Sequence, residues 1–255
     1  AVFVEELEEC PVDRPVIFSA HGVPKFVPEE AEKRQMLFID ATCPLVTKVH
    51  NEIRRYYDKG YKIIMIGHRG HPETIGTMGQ LPEGEVLLVE NKKDVEKMNP
   101  SEYPKLAYVT QTTLSVDDTK DIALALNKKF PSIENPKKED ICYATTNRQE
   151  EVKRLVKSVD LILVVGSENS SNSQRLVDVA KDGGCTEAHL IEDYNGIDWG
   201  KVAKANSIGI TSGASAPDHL VKEVISSIQE KFNTSLVYDT TRKETIEFKV
   251  PPILR

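Results

Sequence analysis

The sequence lacks any apolar run near the roughly 20 residues that a helix needs to cross a bilayer. It also lacks an excess of positive charge, because 33 Lys and Arg stand against 40 Asp and Glu, for a net charge of -7. Binding to a phosphate backbone requires clustered cations, so a nucleic-acid surface is not expected. The start is rich in glutamate (Glu5, Glu6, Glu8, Glu9), the opposite of a secretory signal. We therefore expect a cytoplasmic protein, or a protein of the plastid stroma if the source is a photosynthetic eukaryote, with neither membrane nor nucleic acid as partner.

Cysteine is scarce too. The chain has 4 cysteines in 255 residues, without a Cys-x-x-Cys pair, and at 39% hydrophobic residues it can build a core without disulfides. We interpret all of them as reduced thiols. Cys10 and Cys185 are best explained as small buried apolar side chains.

What the sequence has is a repeated pattern in which a short apolar run stops at a cluster of small polar residues, often just before a helix start. The runs cover residues 16–18, 37–39, 63–66, 106–109, 161–165 and 208–210. Such runs indicate strands buried on both faces, and their alternation with helices predicts parallel sheets of the α/β class. Ligands of such sheets bind beyond the carboxyl ends of the strands.

Helix start and stop signals, and the stretches where one βα unit gives way to the next, predict the domain organisation. Helices are expected at about 44–59, 115–130, 147–159, 171–182 and 217–228. Three small α/β modules fit these lengths. The expected boundaries are 1–43, 44–139 and 140–230, followed by a tail, 231–255, that packs back on the first module. Within that tail, residues 246–250 suit an edge strand or a wrapped extension.

Two thiols stand just before predicted helices. Cys43 precedes Pro44, and Cys142 lies shortly before the third helix. A helix N-terminus favours the thiolate, which is the form that binds a soft metal or an iron–sulfur cluster. Metal binding, a structural role and nucleophilic catalysis all remain open from the residues alone.

Polar clusters supply further candidates. His71 and Glu73 flank Pro72, which favours a loop before it, and they would form a proton-delivery pair if both face a substrate. The hydroxyl-rich segments 170–173 and 211–215 suit phosphate oxygens, although simple N-capping explains each of them equally well.

The clusters together resemble a known family. The matching segments are 19–23, 40–50, 67–80, 110–119, 140–149, 167–175 and 211–218. In this order they resemble 4-hydroxy-3-methylbut-2-enyl diphosphate reductase, the LytB family, over most of the chain. The resemblance implies that the three α/β modules surround a central cleft and that the first of them is incomplete in this chain.

The resemblance implies an oxidoreductase of the last step of the non-mevalonate isoprenoid pathway, which forms isopentenyl and dimethylallyl diphosphates. It implies a 4Fe-4S cluster with Cys43 and Cys142 as metal ligands, and a protein electron donor such as ferredoxin or flavodoxin. Glu73 matches the proton-delivering carboxylate, and Thr112 a residue beside the substrate hydroxyl. The residues that match the diphosphate-binding positions are His21, His71, Ser170, Ser171, Asn172 and Ser215.

The resemblance also implies a third cluster cysteine and a further histidine before Ala1, for which this chain has no match. We therefore expect an N-terminally truncated chain that binds its cluster weakly and is inactive by itself. A redox-silent diphosphate-binding protein is the main alternative. A zinc hydrolase that uses Cys43, Cys142 and a histidine is a further one.

Overall fold

Parallel strands and helices alternate along the chain in the computed structural model, which describes residues 1–238, 244–251 and 254. The chain forms two compact units. Unit one contains residues 1–112 and 117–140 and the described residues from 246 onward, and unit two contains residues 113–116 and the described residues between 141 and 245.

Unit one holds two parallel sheets, one of two strands and one of three with the order β4-β3-β5. Its strands are β1 (Val16–Phe18), β2 (Phe38–Asp40), β3 (Lys62–Ile66), β4 (Val86–Val89) and β5 (Leu106–Thr110). Its helices are α1 (Phe26–Lys33), α2 (Pro44–Asp58), α3 (Pro72–Met78), α4 (Lys92–Lys97) and α5 (Val116–Lys129), whose first residue is assigned to unit two.

The apolar stripe of α2 explains how the three-stranded sheet of unit one is covered. Val49 and Ile53, four positions apart on the helix, pack against Ile63 and Met65 of β3, and all four side chains are fully buried. Burial of each such side chain stabilises the fold by about 1.5–3 kcal/mol. This packing fixes α2, and therefore its first residues, against the sheet.

Unit two is built around a three-stranded parallel sheet with the order β7-β6-β8. Its strands are β6 (Leu161–Val165), β7 (Ala188–Ile191) and β8 (Ile208–Ser212), and its helices are α6 (Tyr143–Leu155), α7 (Ser171–Asp182), α8 (Trp199–Val202) and α9 (Asp218–Lys231). The central strand β6 is fully apolar because it is covered on both faces. Ile162 and Val164 pack with α6 and α7, whereas Leu161, Leu163 and Val165 pack with α8 and α9.

The predicted α/β class with three small parallel-sheet modules is confirmed. One local prediction was wrong. The third helix begins at Tyr143 rather than near Asn147, because Cys142 already caps it. Of the two alternatives for residues 246–250, the edge strand is excluded because their backbone joins no ladder, and the wrapped extension remains a prediction. The predicted module boundaries remain predictions, and part of the 231–255 tail lies outside the described residues.

No helix in the described part of the chain is both long and apolar enough to cross a membrane.

Candidate active site

His71 caps the helix that follows β3. Pro72 occupies the first helical position, and Nδ1 of His71 accepts a hydrogen bond of 3.1 Å from the backbone N–H of Glu73. Burial lowers the pKa of His71 to about 4, with smaller contributions from His21 and His68. The ring is therefore neutral at pH 7. Because Nδ1 is an acceptor, the proton lies on Nε2, which can donate to an anionic oxygen.

His21 lies beside His71, although it comes from the turn after β1. The two rings meet edge to face, with centroids 5.4 Å apart. The side chain of His21 is exposed, yet surrounding protein atoms desolvate the ring enough to lower its pKa. The structure thus brings together two imidazoles that the resemblance assigned to the diphosphate.

Glu73 is a buried carboxyl at the start of α3, only 1% exposed. Its Oε1 accepts from the backbone N–H of Thr112 at 2.6 Å, and its Oε2 accepts from the Thr112 hydroxyl at 3.0 Å. Burial raises the pKa of Glu73 to about 7, against the opposing effect of the two Thr112 hydrogen bonds, and the charge of Asp140 adds to the rise. A carboxyl with this pKa can hold and release a proton near neutrality.

Two supporting residues were missed by the sequence analysis. Gln111, fully buried after β5, accepts hydrogen bonds at Oε1 from His68 N and Thr74 Oγ1. Asp140 accepts from Thr110 N at 2.9 Å and from Lys48 Nζ at 2.7 Å, and burial raises its pKa to about 6. Only their position beside the polar clusters could have indicated them.

Cys43 is the N-cap residue of α2 in unit one. It is half-buried, and its thiol is free. Its backbone N–H donates to Ala20 O at 3.0 Å, which places it next to the turn that carries His21.

In unit two, Cys142 caps α6 and begins a chain of hydrogen bonds. Its Sγ accepts from Thr145 N at 3.3 Å and lies 3.0 Å from Thr145 Oγ1. Asn172 Nδ2 donates to Thr145 Oγ1 at 3.0 Å, and Asn172 Oδ1 accepts from Ala214 N at 3.0 Å. The chain links α6, α7 and the loop after β8. Thr145 is a further residue that the sequence analysis did not single out.

The hydroxyl-rich entry to α7 is also in unit two. Ser170 caps the helix, and its Oγ accepts from Ser173 N at 3.3 Å. Ser171 Oγ accepts from Thr113 Oγ1 at 3.1 Å. Ser215 lies exposed one position after Ala214, whose backbone N–H bonds to Asn172.

Ser173 at this entry is held between two glycines. A Cβ on Gly166 would lie 2.2 Å from Ser173 Oγ, and a Cβ on Gly213 would lie 2.0 Å from the same atom. The two glycines let the ends of β6 and β8 approach the first turn of α7. This packing fixes the helix entry against the sheet of unit two.

An iron–sulfur cluster is held by cysteine thiolates. Cys43 and Cys142 are both free, half-buried thiols at helix N-caps, which suits a thiolate ligand. Within the described residues, no three His, Cys, Asp or Glu side chains form a group that could hold a metal ion. Each thiol by itself has a setting that suits a thiolate ligand, and the described residues do not form a complete ligand set.

Parallel α/β modules with a buried carboxyl of raised pKa, two adjacent imidazoles and helix-entry thiols are features of an enzyme. A family model described as LytB protein matches residues 1–229. The chain therefore belongs to the LytB family, a family of oxidoreductases, and the resemblance found in the sequence is confirmed.

Named relatives agree with this assignment. Proteins from Ruegeria sp. (strain TM1040) and from Ruegeria pomeroyi, both named 4-hydroxy-3-methylbut-2-enyl diphosphate reductase, are each 60% identical over all 255 residues, which span 81% of their own length. The structure of the E-1-hydroxy-2-methyl-but-2-enyl-4-diphosphate reductase from Plasmodium falciparum is 38% identical, with a TM-score of 0.93, and the match covers 99% of this chain and 80% of that one. A second reductase structure, described as the terminal enzyme of the non-mevalonate pathway, is 31% identical, with a TM-score of 0.61 over 89% of this chain and 79% of that one.

Proposed function

We propose that this chain carries the reductase activity for which its relatives are named. The reaction removes the hydroxyl group of 4-hydroxy-3-methylbut-2-enyl diphosphate and yields isopentenyl and dimethylallyl diphosphates. Two electrons and two protons are consumed, the C–O bond breaks, and the oxygen leaves as water. A protein of the ferredoxin or flavodoxin class supplies the electrons. The observation that carries the proposal is the buried Glu73–Thr112 pair.

Glu73 has the properties that this reaction asks of a proton donor. With its pKa raised to about 7, it holds its proton in a large fraction of molecules at neutral pH. The Thr112 hydroxyl, 3.0 Å from Oε2, can accept that proton while it passes its own to a departing oxygen. In this role Glu73 is the acid, and the Thr112 hydroxyl relays its proton to the departing oxygen.

In this proposal neutral hydrogen-bond donors bind the diphosphate in place of a cluster of cations, which fits a chain with a net charge of -7. In unit one, His71 offers a neutral Nε2–H group, and His21 adds a second imidazole beside it. In unit two, Ser170, Ser171 and Asn172 stand at the N-terminus of α7, where free backbone N–H groups and the helix dipole attract anions. Ser215 supplies a further hydroxyl.

Cys43 and Cys142 are the residues that would hold the 4Fe-4S cluster. When bound, an iron–sulfur cluster with an open iron supplies a Lewis acid and a source of electrons at the C–O bond. The helix N-termini behind both sulfurs stabilise their negative charge. We propose a cytoplasmic setting, since the Ruegeria relatives named above are bacterial.

The test is anaerobic reconstitution with iron and sulfide, followed by measurement of bound iron and of substrate reduction. Two forms are compared, namely this chain and a chimera extended with the additional residues of the Ruegeria sp. relative. In the form that turns over, Cys43→Ser and Cys142→Ser should each lower the iron content. Glu73→Gln should leave the iron content intact and reduce turnover about 100-fold or more. Cys10→Ser, which changes a free thiol outside the site, is the matched control.

Different results would support different functions. Diphosphate binding without iron in either form would favour the redox-silent binding protein. Bound zinc, together with hydrolysis that needs no reductant, would favour the zinc hydrolase. Reduction that is unaffected by Glu73→Gln would refute the assigned proton donor while leaving the reductase standing.

A further inference from the structure

The turn that carries His21 is packed between two helices of unit one. Gly22, at φ +77°, closes the turn by donating its N–H to Ser19 O at 3.1 Å. A Cβ on Gly22 would lie 2.7 Å from Cε1 of His50, which belongs to α2. On the other side, a Cβ on Gly76 of α3 would lie 2.7 Å from the carbonyl oxygen of Gly22. The Gly22 peptide therefore fills the space between an imidazole and a helix backbone.

His50 is unusual for a buried polar residue. It is 5% exposed, and its Nε2 has no hydrogen-bond partner among the described residues. Burial, with help from the charge of Arg54, lowers its pKa to about 4, so the ring is neutral. An unpaired buried nitrogen lowers the stability of the fold. The imidazole therefore needs an explanation other than stability, and its contact with Gly22 offers one.

The residues after Gly22 are fixed to the same helix that carries His71. Lys25 N donates to Gly79 O at 2.9 Å, and Gln80 Nε2 donates to Val23 O at 2.7 Å. His71 caps the other end of α3. Both the His21 turn and His71 are therefore held by α3. The spacing of the two rings, 5.4 Å between centroids, therefore depends on where the turn lies relative to α3.

We propose that His50 is a positioning residue, which supports the Gly22 peptide so that His21 and His71 stand at the spacing needed to bind one diphosphate. Its own ring does not touch the ligand, because Nε2 is buried. The choice of ligand rests on the proposed function, whereas the packing of the turn does not. The resemblance assigned no role to His50.

The test uses His50→Ala and two readouts. The first is the ¹H–¹⁵N NMR spectrum of the imidazole groups without ligand, and the second is the affinity for inorganic pyrophosphate by calorimetry. We expect altered signals from His21 and about tenfold weaker binding, the effect of losing one well-placed hydrogen bond. Val49→Ala is the matched control, since Val49 is the adjacent buried residue of α2 and packs on the sheet instead. It should lower stability without changing either readout.

A double-mutant cycle separates positioning from general damage. In a His21→Ala background, His50→Ala should cause no further loss of pyrophosphate affinity, because the group that it positions is gone. In Gly76→Ala the added methyl group on α3 would clash with the same Gly22 peptide, so this variant should alter the His21 signals as well. It also serves as the second variant if His50→Ala fails to fold.

Unchanged His21 signals in His50→Ala, or in Gly76→Ala where that variant takes its place, would overturn the proposal. An undiminished effect of His50→Ala in the His21→Ala background would overturn it too. If the unmodified protein does not bind pyrophosphate, the diphosphate function fails, and the imidazole signals still decide whether His50 positions His21.

Discussion

Replacing Glu73 by Gln should stabilise the protein at alkaline pH, although it removes the proposed acid. The pKa of Glu73 is about 7 in the folded chain against an ordinary 4.5. Below about pH 4.5 the carboxyl is protonated in both the folded and the unfolded chain and contributes nothing to the pH dependence. Between these values only the unfolded chain releases the proton, so the stability of the fold decreases as the pH rises. Above about pH 7 the full cost of burying the charge is present.

The size of the effect follows from the pKa difference, which corresponds to about 3 kcal/mol of unfolding free energy. The Gln side chain avoids this cost and keeps both contacts. It accepts from Thr112 N through Oε1 and donates to Thr112 Oγ1 through Nε2. Glu73→Gln should therefore match the unmodified protein at about pH 4.5 and exceed it by up to about 3 kcal/mol at about pH 8.

The assay is urea denaturation of both proteins across this pH range, in the same buffer series. Glu223→Gln, which changes an exposed carboxylate of α9, is the control and should follow the unmodified protein. Thr112→Val removes one donor to the carboxylate, and the pKa of Glu73 should then rise further. Parallel curves for Glu73→Gln and the unmodified protein would refute the reasoning, since they would mean that folding does not perturb this carboxyl.

Further substitutions test other parts of the site. Lys48→Met leaves the buried Asp140 carboxylate without its cation. Because Lys48 is itself 31% exposed, we expect the free energy of unfolding to fall by about 2 kcal/mol at pH 8 and by less at pH 5, where Asp140 is protonated. An equal fall at both pH values would argue against the ion pair. His71→Ala should cost about 1 kcal/mol through the lost N-cap, whereas His71→Asn should keep the cap, and both should weaken pyrophosphate binding in calorimetry. Gly213→Ala should destabilise by about 2 kcal/mol in denaturant, and adding Ser173→Ala should recover most of the loss; a purely additive result would contradict the close contact.

Much of the fold follows from local patterns that a sequence displays. Buried parallel strands are continuous apolar runs, and Pro44 after Cys43 marks a helix start, so both could be predicted. The edge strands β4 and β7 were missed, since each is only partly buried and β7 carries the polar His189. Edge strands of this kind lack the full apolar signal.

The supporting residues of the site could not be predicted for a different reason. Lys48 and Asp140 are 92 positions apart in the sequence, and only the packing of α2 on its sheet brings them to 2.7 Å. His50 is hidden in the apolar stripe of α2, where a lone histidine has no signal of its own. In contrast, Glu73 was found through its place beside His71 and Thr112 through the resemblance, and the structure then showed that they hydrogen-bond to each other.

Because of the hydrogen-bond chain that starts at Cys142, a change in the charge of its sulfur can be detected at a residue that does not contact the sulfur. Every donor in the chain can point toward the sulfur, from Ala214 N–H through the Asn172 amide to the Thr145 hydroxyl. Negative charge on the sulfur polarises such a chain and shortens each bond in turn. The amide proton of Ala214 therefore acts as a spectroscopic reporter. Its NMR signal should shift when Cys142 becomes a thiolate or binds a metal, and Asn172→Leu should abolish that response.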